Sequence, residues 1–177
     1  MAKEEYVVLV NEKDEVIGEM EKQEAHVQGV LHRAFSIFIF NSQKKLLLQQ
    51  RAAIKYHSPL QWTNTCCSHP RKEESYIQAA HRRLQEELGF DTELTEKFYF
   101  IYEAEVGSGL IEHEFDRVFI GYYEGPVLIN PLEVEEVKWI DLDQLKQEMN
   151  QEPDKFTEWF KIIFDKYEEY IQTIAVS

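Results

Sequence analysis

Cysteine is nearly absent from this chain, and the two that occur, Cys66 and Cys67, are neighbours. A trans peptide holds adjacent Cα atoms about 3.8 Å apart, a geometry that rarely bridges, and there is no distant third cysteine. A disulfide framework is therefore excluded, and free thiols suit a reducing compartment. No apolar run approaches the length of a membrane span. The N-terminus, Met1-Ala2-Lys3-Glu4-Glu5-Tyr6, lacks the apolar core of a secretory signal. These absences predict a soluble cytoplasmic protein. Long linkers, low-complexity stretches and internal repeats are missing too, so the 177 residues predict one domain spanning 1–177.

Positive charge is scarce as well. Nineteen Lys and Arg against 33 Asp and Glu leave a net charge of −14, which argues against nonspecific binding to nucleic acid or to an anionic membrane. The imbalance is uneven. Residues 131–177 carry 12 acidic and 5 basic side chains, whereas residues 44–88 carry 8 basic and 4 acidic ones. A basic middle in an acidic protein reads either as a local anion site or as uneven solvated charge.

Tyr6 to Val10 and Val16 to Met20 flank a polar turn and predict an opening hairpin. Ala34 to Phe40 and Lys45 to Gln50 flank Asn41-Ser42-Gln43 and predict a second. Gln61 to His69 reads as extended until Pro70. Ser75, with Gln78 three residues on, predicts a capped helix whose stripe is Ile77, Ala80, Leu84 and Leu88, closed by Gly89. Phe98 to Val106 and Leu110 to Tyr122 flank Gly107-Ser108-Gly109, a third hairpin. Val134 to Ile140 predicts a strand and 141–149 a short helix. From about Asp154, Phe156, Phe160, Ile163, Tyr167 and Ile171 make a helical stripe. The interleaving predicts a mixed α/β (α+β) class, a mixed sheet covered by helices.

Three groups of residues could carry chemistry. His26, His32 and His69, with Glu112 and Glu114 two apart on a predicted strand, would give an N/O site suited to a divalent ion, with one position open. Scattered His and Glu are also ordinary surface groups, and spacing alone leaves both readings standing. Cys67 is either a small buried hydrophobe or a proton donor, base or nucleophile, and a nearby cation would draw its pKa toward neutrality. Glu74 and the run Arg82-Arg83-Leu84-Gln85-Glu86-Glu87 contain the i,i+4 pairs Arg82/Glu86 and Arg83/Glu87, which suit a salt-bridged helix face.

The third group resembles a Nudix box, G-x5-E-x7-R-E-U-x-E-E-x-G-U with U a bulky apolar residue. Glu74, Arg82, Leu84, Glu86, Glu87, Gly89 and Phe90 fall in register. Ser68 replaces the leading Gly, and Arg83 replaces a Glu that normally binds metal, which counts against a pyrophosphohydrolase while keeping the Nudix fold. Leu31-His32-Arg33-Ala34-Phe35-Ser36, Trp62-Thr63-Asn64-Thr65-Cys66-Cys67-Ser68-His69-Pro70 and Glu112-His113-Glu114 look like the signatures of type I isopentenyl-diphosphate isomerases. Arg51, Lys55, Tyr102 and Trp159 are in that family's register too.

The resemblance implies a Nudix fold with a mixed sheet sandwiched between helices. It implies interconversion of isopentenyl and dimethylallyl diphosphate through a tertiary carbocation. His26, His32, His69, Glu112 and Glu114 would hold one divalent metal (Mn, Mg or Zn). Cys67 and Glu114 would exchange protons with the substrate, Tyr102 would assist Glu114, and Trp159 would stabilise the cation. Arg51, Lys55 and Arg83 would bind the diphosphate, with Glu87 holding a Mg ion against it. The expected partner is this small molecule, with no nucleic acid or membrane, for a monomer or weak dimer. Cys66, His57, His81 and His113 are expected to be structural or solvent-exposed, and Trp62 to be core or pocket lining. The rival readings are a Nudix pyrophosphohydrolase and a catalytically silent Nudix-like binding domain.

Overall fold

A computed structural model describes residues 5–176. The ends of the expected 1–177 span, residues 1–4 and 177, lie outside the described residues. Among the described residues nine strands share one mixed sheet, and four α-helices accompany them. The first hairpin forms as expected, from β1 (Tyr6–Val10) and β2 (Val16–Glu21). An unexpected helix, α1 (Lys22–Gln28), follows. Glu21 caps it by accepting the Gln23 and Glu24 N–H groups, and Gly29 ends it in the left-handed region. With only seven residues it shows too little periodicity to be read from sequence.

Strand β3 (His32–Phe40) is the spine. It is apolar on both faces, as befits a strand covered on both sides. The expected second hairpin to β4 (Leu46–Arg51) pairs only at Phe40 and Leu46. Beyond that point the short β6 (Cys66–Ser68) takes the same edge antiparallel, while β8 (Ile111–Tyr122) runs parallel along the other edge over nine residue pairs, His32↔Glu114 to Phe40↔Tyr122. Strand β4 pairs instead with β9 (Val134–Ile140) and with β5 (Trp62–Thr63). The extended stretch at 61–69 is thus two short strands. The third hairpin joins β7 (Leu94–Glu105) to β8.

The two faces of the sheet carry separate cores. On one, Phe35, Ile37, Ile39 and Leu47 meet Ala80, Leu84 and Leu88 of α2 (Tyr76–Leu88). On the other, Phe38, Phe40 and Leu48 meet Leu145 of α3 (Leu142–Gln151) and Trp159, Phe160 and Ile163 of α4 (Glu158–Val176). The last helix begins later than its apolar stripe suggests. Pro153–Lys155 forms a 3-10 turn, and Phe156 lies extended, bridged to Trp62. Thr157 N–H bonds to the Trp62 carbonyl and seats the start of α4. Trp62 itself packs half-buried against this core beneath the Lys138 ammonium, 4.4 Å from its ring centre. It belongs with the core and is not among the residues of the main cleft.

Helix α2 follows its sequence signals closely. Ser75 and Gln78 form a reciprocal capping box, and Gly89 closes the helix at φ 69°. A Cβ at Gly89 would come within 2.7 Å of both the Leu128 Cβ and its carbonyl oxygen, because the 128–130 segment docks on this helix end. Gly89→Ala therefore combines a left-handed backbone with a clash and should destabilise the protein by at least about 1–2 kcal/mol in urea unfolding. An alanine variant as stable as wild type would contradict this packing.

Candidate functional site

Strand alternation sorts the chemistry onto one face. Register pairs His32 with Glu114, Ala34 with Asp116, and Ser36 with Cys67 across β3's two neighbours, and pairs Tyr102 with Glu114 across β7 and β8. Successive residues point to opposite faces, so Cys67 looks toward α4 while Cys66 looks toward α2. Cys66 is fully buried and its thiol donates to Glu87 Oε2 at 2.7 Å. Cys67 borders a cleft of about 210 Å³ whose walls also include His57, His69, Glu112, Glu114, Asp116 and Trp159.

The imidazoles and carboxylates expected to bind metal do meet. His26 and His32 are wholly buried, and Glu112 and Glu114 are 4% and 5% exposed. The carboxylates divide their oxygens in the same way. Tyr102 Oη lies 2.7 Å from Glu112 Oε2 and also bonds Glu114 Oε1. Glu112 Oε1 then faces His26 Nε2 at 3.5 Å, while Glu114 Oε2 faces His32 Nε2 at 3.3 Å and His69 Nε2 at 2.8 Å.

The other ring nitrogens of His26 and His32 are spoken for. His32 Nδ1 sits 2.8 Å from the Val30 carbonyl, which can only accept, and His26 Nδ1 sits 2.5 Å from the Tyr56 hydroxyl. A neutral His32 ring so held carries its proton on Nδ1 and turns the Nε2 lone pair inward. His26 Nε2 and His32 Nε2 are buried without hydrogen-bond partners. Lone pairs aimed at carboxylates suit a cation between them, and these groups could hold a metal ion.

Electrostatics divide the cluster: burial opposes charge on His32, but the neighbouring Glu114 carboxylate outweighs it and raises that ring, whereas His26 and Glu114 move the other way. Burial, with His69 nearby, holds His26 down to about 2, so it stays neutral. Burial opposes the charged form of Glu114, but His32 and His69 outweigh it and keep the carboxyl well below its usual range. Burial and the neighbouring Glu114 push Asp116 well up. Its Oδ2 accepts from Ser36 Oγ at 2.8 Å. Burial and Asp116 likewise raise Cys67, against the expected drift of that thiol toward neutrality, so the thiol keeps its proton.

Its geometry is fixed on two sides. Sγ donates to Asn64 Oδ1 at 3.0 Å and accepts from Trp159 Nε1 at 3.2 Å. Asn64 cannot flip, because its Nδ2 donates to the Ile37 and Cys66 carbonyls, each at 3.1 Å.

The cationic residues lie in the same cleft: Arg51, Lys55 and Arg83, joined by Lys22. Arg51 stacks on Trp159, its guanidinium carbon 5.2 Å from the ring centre. Glu133 pairs with Lys55, and with Arg83 at 3.1 Å. Glu87 differs from expectation in its surroundings. It is buried behind Arg83, 3.6 Å from that guanidinium, and is not among the residues of the cleft wall. Arg82 pairs with Glu74 and Glu86 as a helix-face residue would. His81 pairs with Asp91 near the surface, and His113 Nδ1 donates to the Gly29 carbonyl at 3.1 Å.

Three residues of the site escape a reading of the sequence. Asp116 continues the Glu112, Glu114 alternation and could have been found from it. Lys22 stands four residues before His26, a signal only once α1 is known. His57, to which no chemical role was given, is 6% exposed, with Nε2 3.2 Å from Glu112 Oε1. It sits on an irregular loop, and no local pattern marks it.

Known proteins resemble this chain closely. The NUDIX domain family matches residues 30–160. A Serratia proteamaculans protein named Isopentenyl-diphosphate Delta-isomerase is 51% identical over 160 residues, 90% of this chain and 89% of its own. A Pectobacterium atrosepticum protein of the same name is 49% identical over 166 residues, 94% of this chain and 93% of its own. Among solved structures, a Deinococcus radiodurans protein superposes with a TM-score of 0.70 at 20% identity, covering 84% of this chain and 90% of that one. At that identity the likeness speaks to the fold.

A cation that binds the folded cluster and not the unfolded chain should stabilise the protein, by about 2.7 kcal/mol when free metal is a hundred times its Kd. Chelation should therefore lower the melting temperature, and a divalent ion should restore it. His32→Ala should lose bound metal by elemental analysis and lose most of that thermal response. A chelator-insensitive melt together with full metal content in His32→Ala would reject the cluster as a metal site.

Proposed function

The chain belongs to the Nudix-fold isopentenyl-diphosphate Delta-isomerases, and from that premise we propose that it converts isopentenyl diphosphate to dimethylallyl diphosphate by moving protons, as a single domain spanning 1–177. The alkene has no adjacent carbonyl to act as an electron sink. Protonation of its terminal carbon gives a tertiary carbocation, and loss of a proton from the carbon next to the diphosphate-bearing one moves the double bond. The reaction needs a donor, an acceptor and a water-poor pocket tolerant of a cation.

The one observation that carries the reading is Cys67 and Glu114 on a common face of the cleft, flanking β3 from its two sides, with the Trp159 indole bonded to the thiol. Cys67 and Glu114 are the groups that exchange protons with the substrate, and Tyr102 orients Glu114. Trp159 offers its ring to the cation. Arg51, Lys55 and Arg83 bind the diphosphate, and Glu87 acts behind Arg83 in holding the Mg ion that accompanies it.

His26, His32, His69, Glu112 and Glu114 hold one divalent ion, Mn, Mg or Zn. When bound, that ion supplies the positive charge that two buried carboxylates otherwise lack. The enzyme works on this small molecule in the cytoplasm, as a monomer or weak dimer, without nucleic acid or membrane. Among the described residues no helix is long and apolar enough to cross a membrane.

Arg83 in place of the box carboxylate argues against the pyrophosphohydrolase reading. Incubation with isopentenyl diphosphate and Mg should yield dimethylallyl diphosphate. Release of phosphate or pyrophosphate without the isomer would overturn the proposal.

The opposite facing of the cysteines gives a sharper expectation. Cys67→Ala should abolish turnover yet still bind the diphosphate, whereas Cys66→Ala should keep most activity. Reversed phenotypes would show that the wrong thiol has been assigned.

Trp159 is both core and cleft wall, so its variants must separate two roles. A cation–π contribution of about 2 kcal/mol in a desolvated site corresponds to a rate loss of about thirtyfold. Trp159→Leu should lose kcat more than it raises KM, and Trp159→Phe should lose less. Wild-type kcat in both variants, with lowered melting temperatures, would leave Trp159 a packing residue.

A further inference from the structure

His57 stands apart from every motif in the sequence yet lies within the cluster. Its ring packs edge-on against His26 and Trp159, with centroids 5.4 and 5.9 Å away, and Arg51 holds its backbone carbonyl at 3.2 Å. Its Nε2 is 3.2 Å from Glu112 Oε1, the same oxygen that faces the unpartnered Nε2 of wholly buried His26 at 3.5 Å. The other Glu112 oxygen is occupied by Tyr102. On the far side of the ring, Nδ1 lies 3.2 Å from the Ser58 hydroxyl, which can donate or accept; ligation through Nε2 uses the tautomer in which the hydroxyl accepts from Nδ1.

The ligand atoms of His26, His57 and Glu112 all lie within 4.8 Å of one another, as do those of His26, His32, His69 and Glu114. The two sets are distinct and share only His26, so a single ion held by both would draw the His57 and Glu112 atoms toward the other set. Adjacent corners of an octahedron with bonds of about 2.1 Å are about 3 Å apart, and opposite corners about 4.2 Å. The distances from Glu112 Oε1 to the two imidazole nitrogens resemble the former.

We propose that His57 is a further ligand of the divalent ion, binding through Nε2 on the Glu112 side and filling the position that three histidines and two carboxylates leave open. This rests on the metal reading of the cluster given above. It adds a fourth imidazole to two carboxylates, and so shifts the donor set from one that suits Mg toward one that favours borderline ions such as Co and Zn. It also closes the centre to an additional water, so the ion acts on the cleft through its ligands.

The test loads chelator-stripped wild type, His57→Ala and His57→Gln with Co²⁺. It reads the ion's dissociation constant and the exchangeable imidazole N–H resonances that paramagnetic Co²⁺ shifts downfield. Glutamine can keep a hydrogen bond to Glu112 but contributes no imidazole, so it separates ligation from simple support. Wild type should show four such resonances. Both variants should lose one and bind Co²⁺ more weakly, by about a hundredfold or more, since even outer-shell partners are worth 10–100-fold. The loss should be smaller for Mg²⁺ than for Co²⁺. Unchanged resonances in His57→Ala, or wild-type Co²⁺ affinity in His57→Gln, would reduce His57 to a hydrogen-bonding neighbour and overturn the inference while leaving the metal reading intact. Failure of wild type itself to take up Co²⁺ would overturn both.

Discussion

Two carboxylates buried side by side on one strand set the terms for this structure. Taking a single carboxylate out of water costs several kcal/mol, and Glu112 and Glu114 lie two residues apart on the same face. Everything around them supplies compensation. Tyr102 meets one oxygen of each, and the imidazoles of His26, His32, His57 and His69 meet the others. The rings come from four separate parts of the chain: α1, the start of β3, the loop after β4, and the residue that follows β6. The parallel pairing of β3 with β8 brings His32 directly opposite Glu114. Non-local sheet topology thus serves an electrostatic need, with each element holding one donor against a charge that could not otherwise be buried.

The same face divides the cleft by chemistry. Cations from β4, the following loop and α2 gather at Arg51, Lys55 and Arg83, while Cys67, Asp116 and Glu114 line the sheet floor and Trp159 descends from α4. Arg51 stacks on Trp159, whose indole N–H bonds to Cys67, so an anion-binding residue and a thiol contact the same ring. Through that ring, the group proposed to grip the diphosphate is mechanically close to the group proposed to move a proton. A Nudix scaffold that has exchanged a box carboxylate for Arg83 fits a task in which the diphosphate is held and left intact.

Elements with local signals could be read from sequence. Helix α2 announces its ends through Ser75, Gln78 and Gly89, and the β7–β8 turn does so through Gly107-Ser108-Gly109. Alternation then placed Glu112 with Glu114. What depended on distant partners stayed hidden. The β3–β4 hairpin fails beyond one residue pair because β6, some thirty residues downstream, takes that edge of β3 at Phe35 to Ile37, while β8 holds the opposite edge from His32 to Phe40. Helix α1 is too short to show a period, so Lys22 and His26 could not be seen to share a face. His57 lies on an irregular loop, where neither helical nor strand spacing applies, and only the folded chain brings it to Glu112. The site residues named from family signatures were gathered into one cleft or its immediate backing, with Glu87 set behind Arg83.

In the proposed reaction protons, and no other group, are exchanged between this cleft and a diphosphate-bearing alkene. Turnover of isopentenyl diphosphate in D₂O, followed by NMR of the product, tests it directly. The product should be dimethylallyl diphosphate with its diphosphate intact and solvent deuterium in a methyl group. A deuterium-free isomer, which would mean an internal hydrogen shift, or a product that has lost phosphate would contradict it.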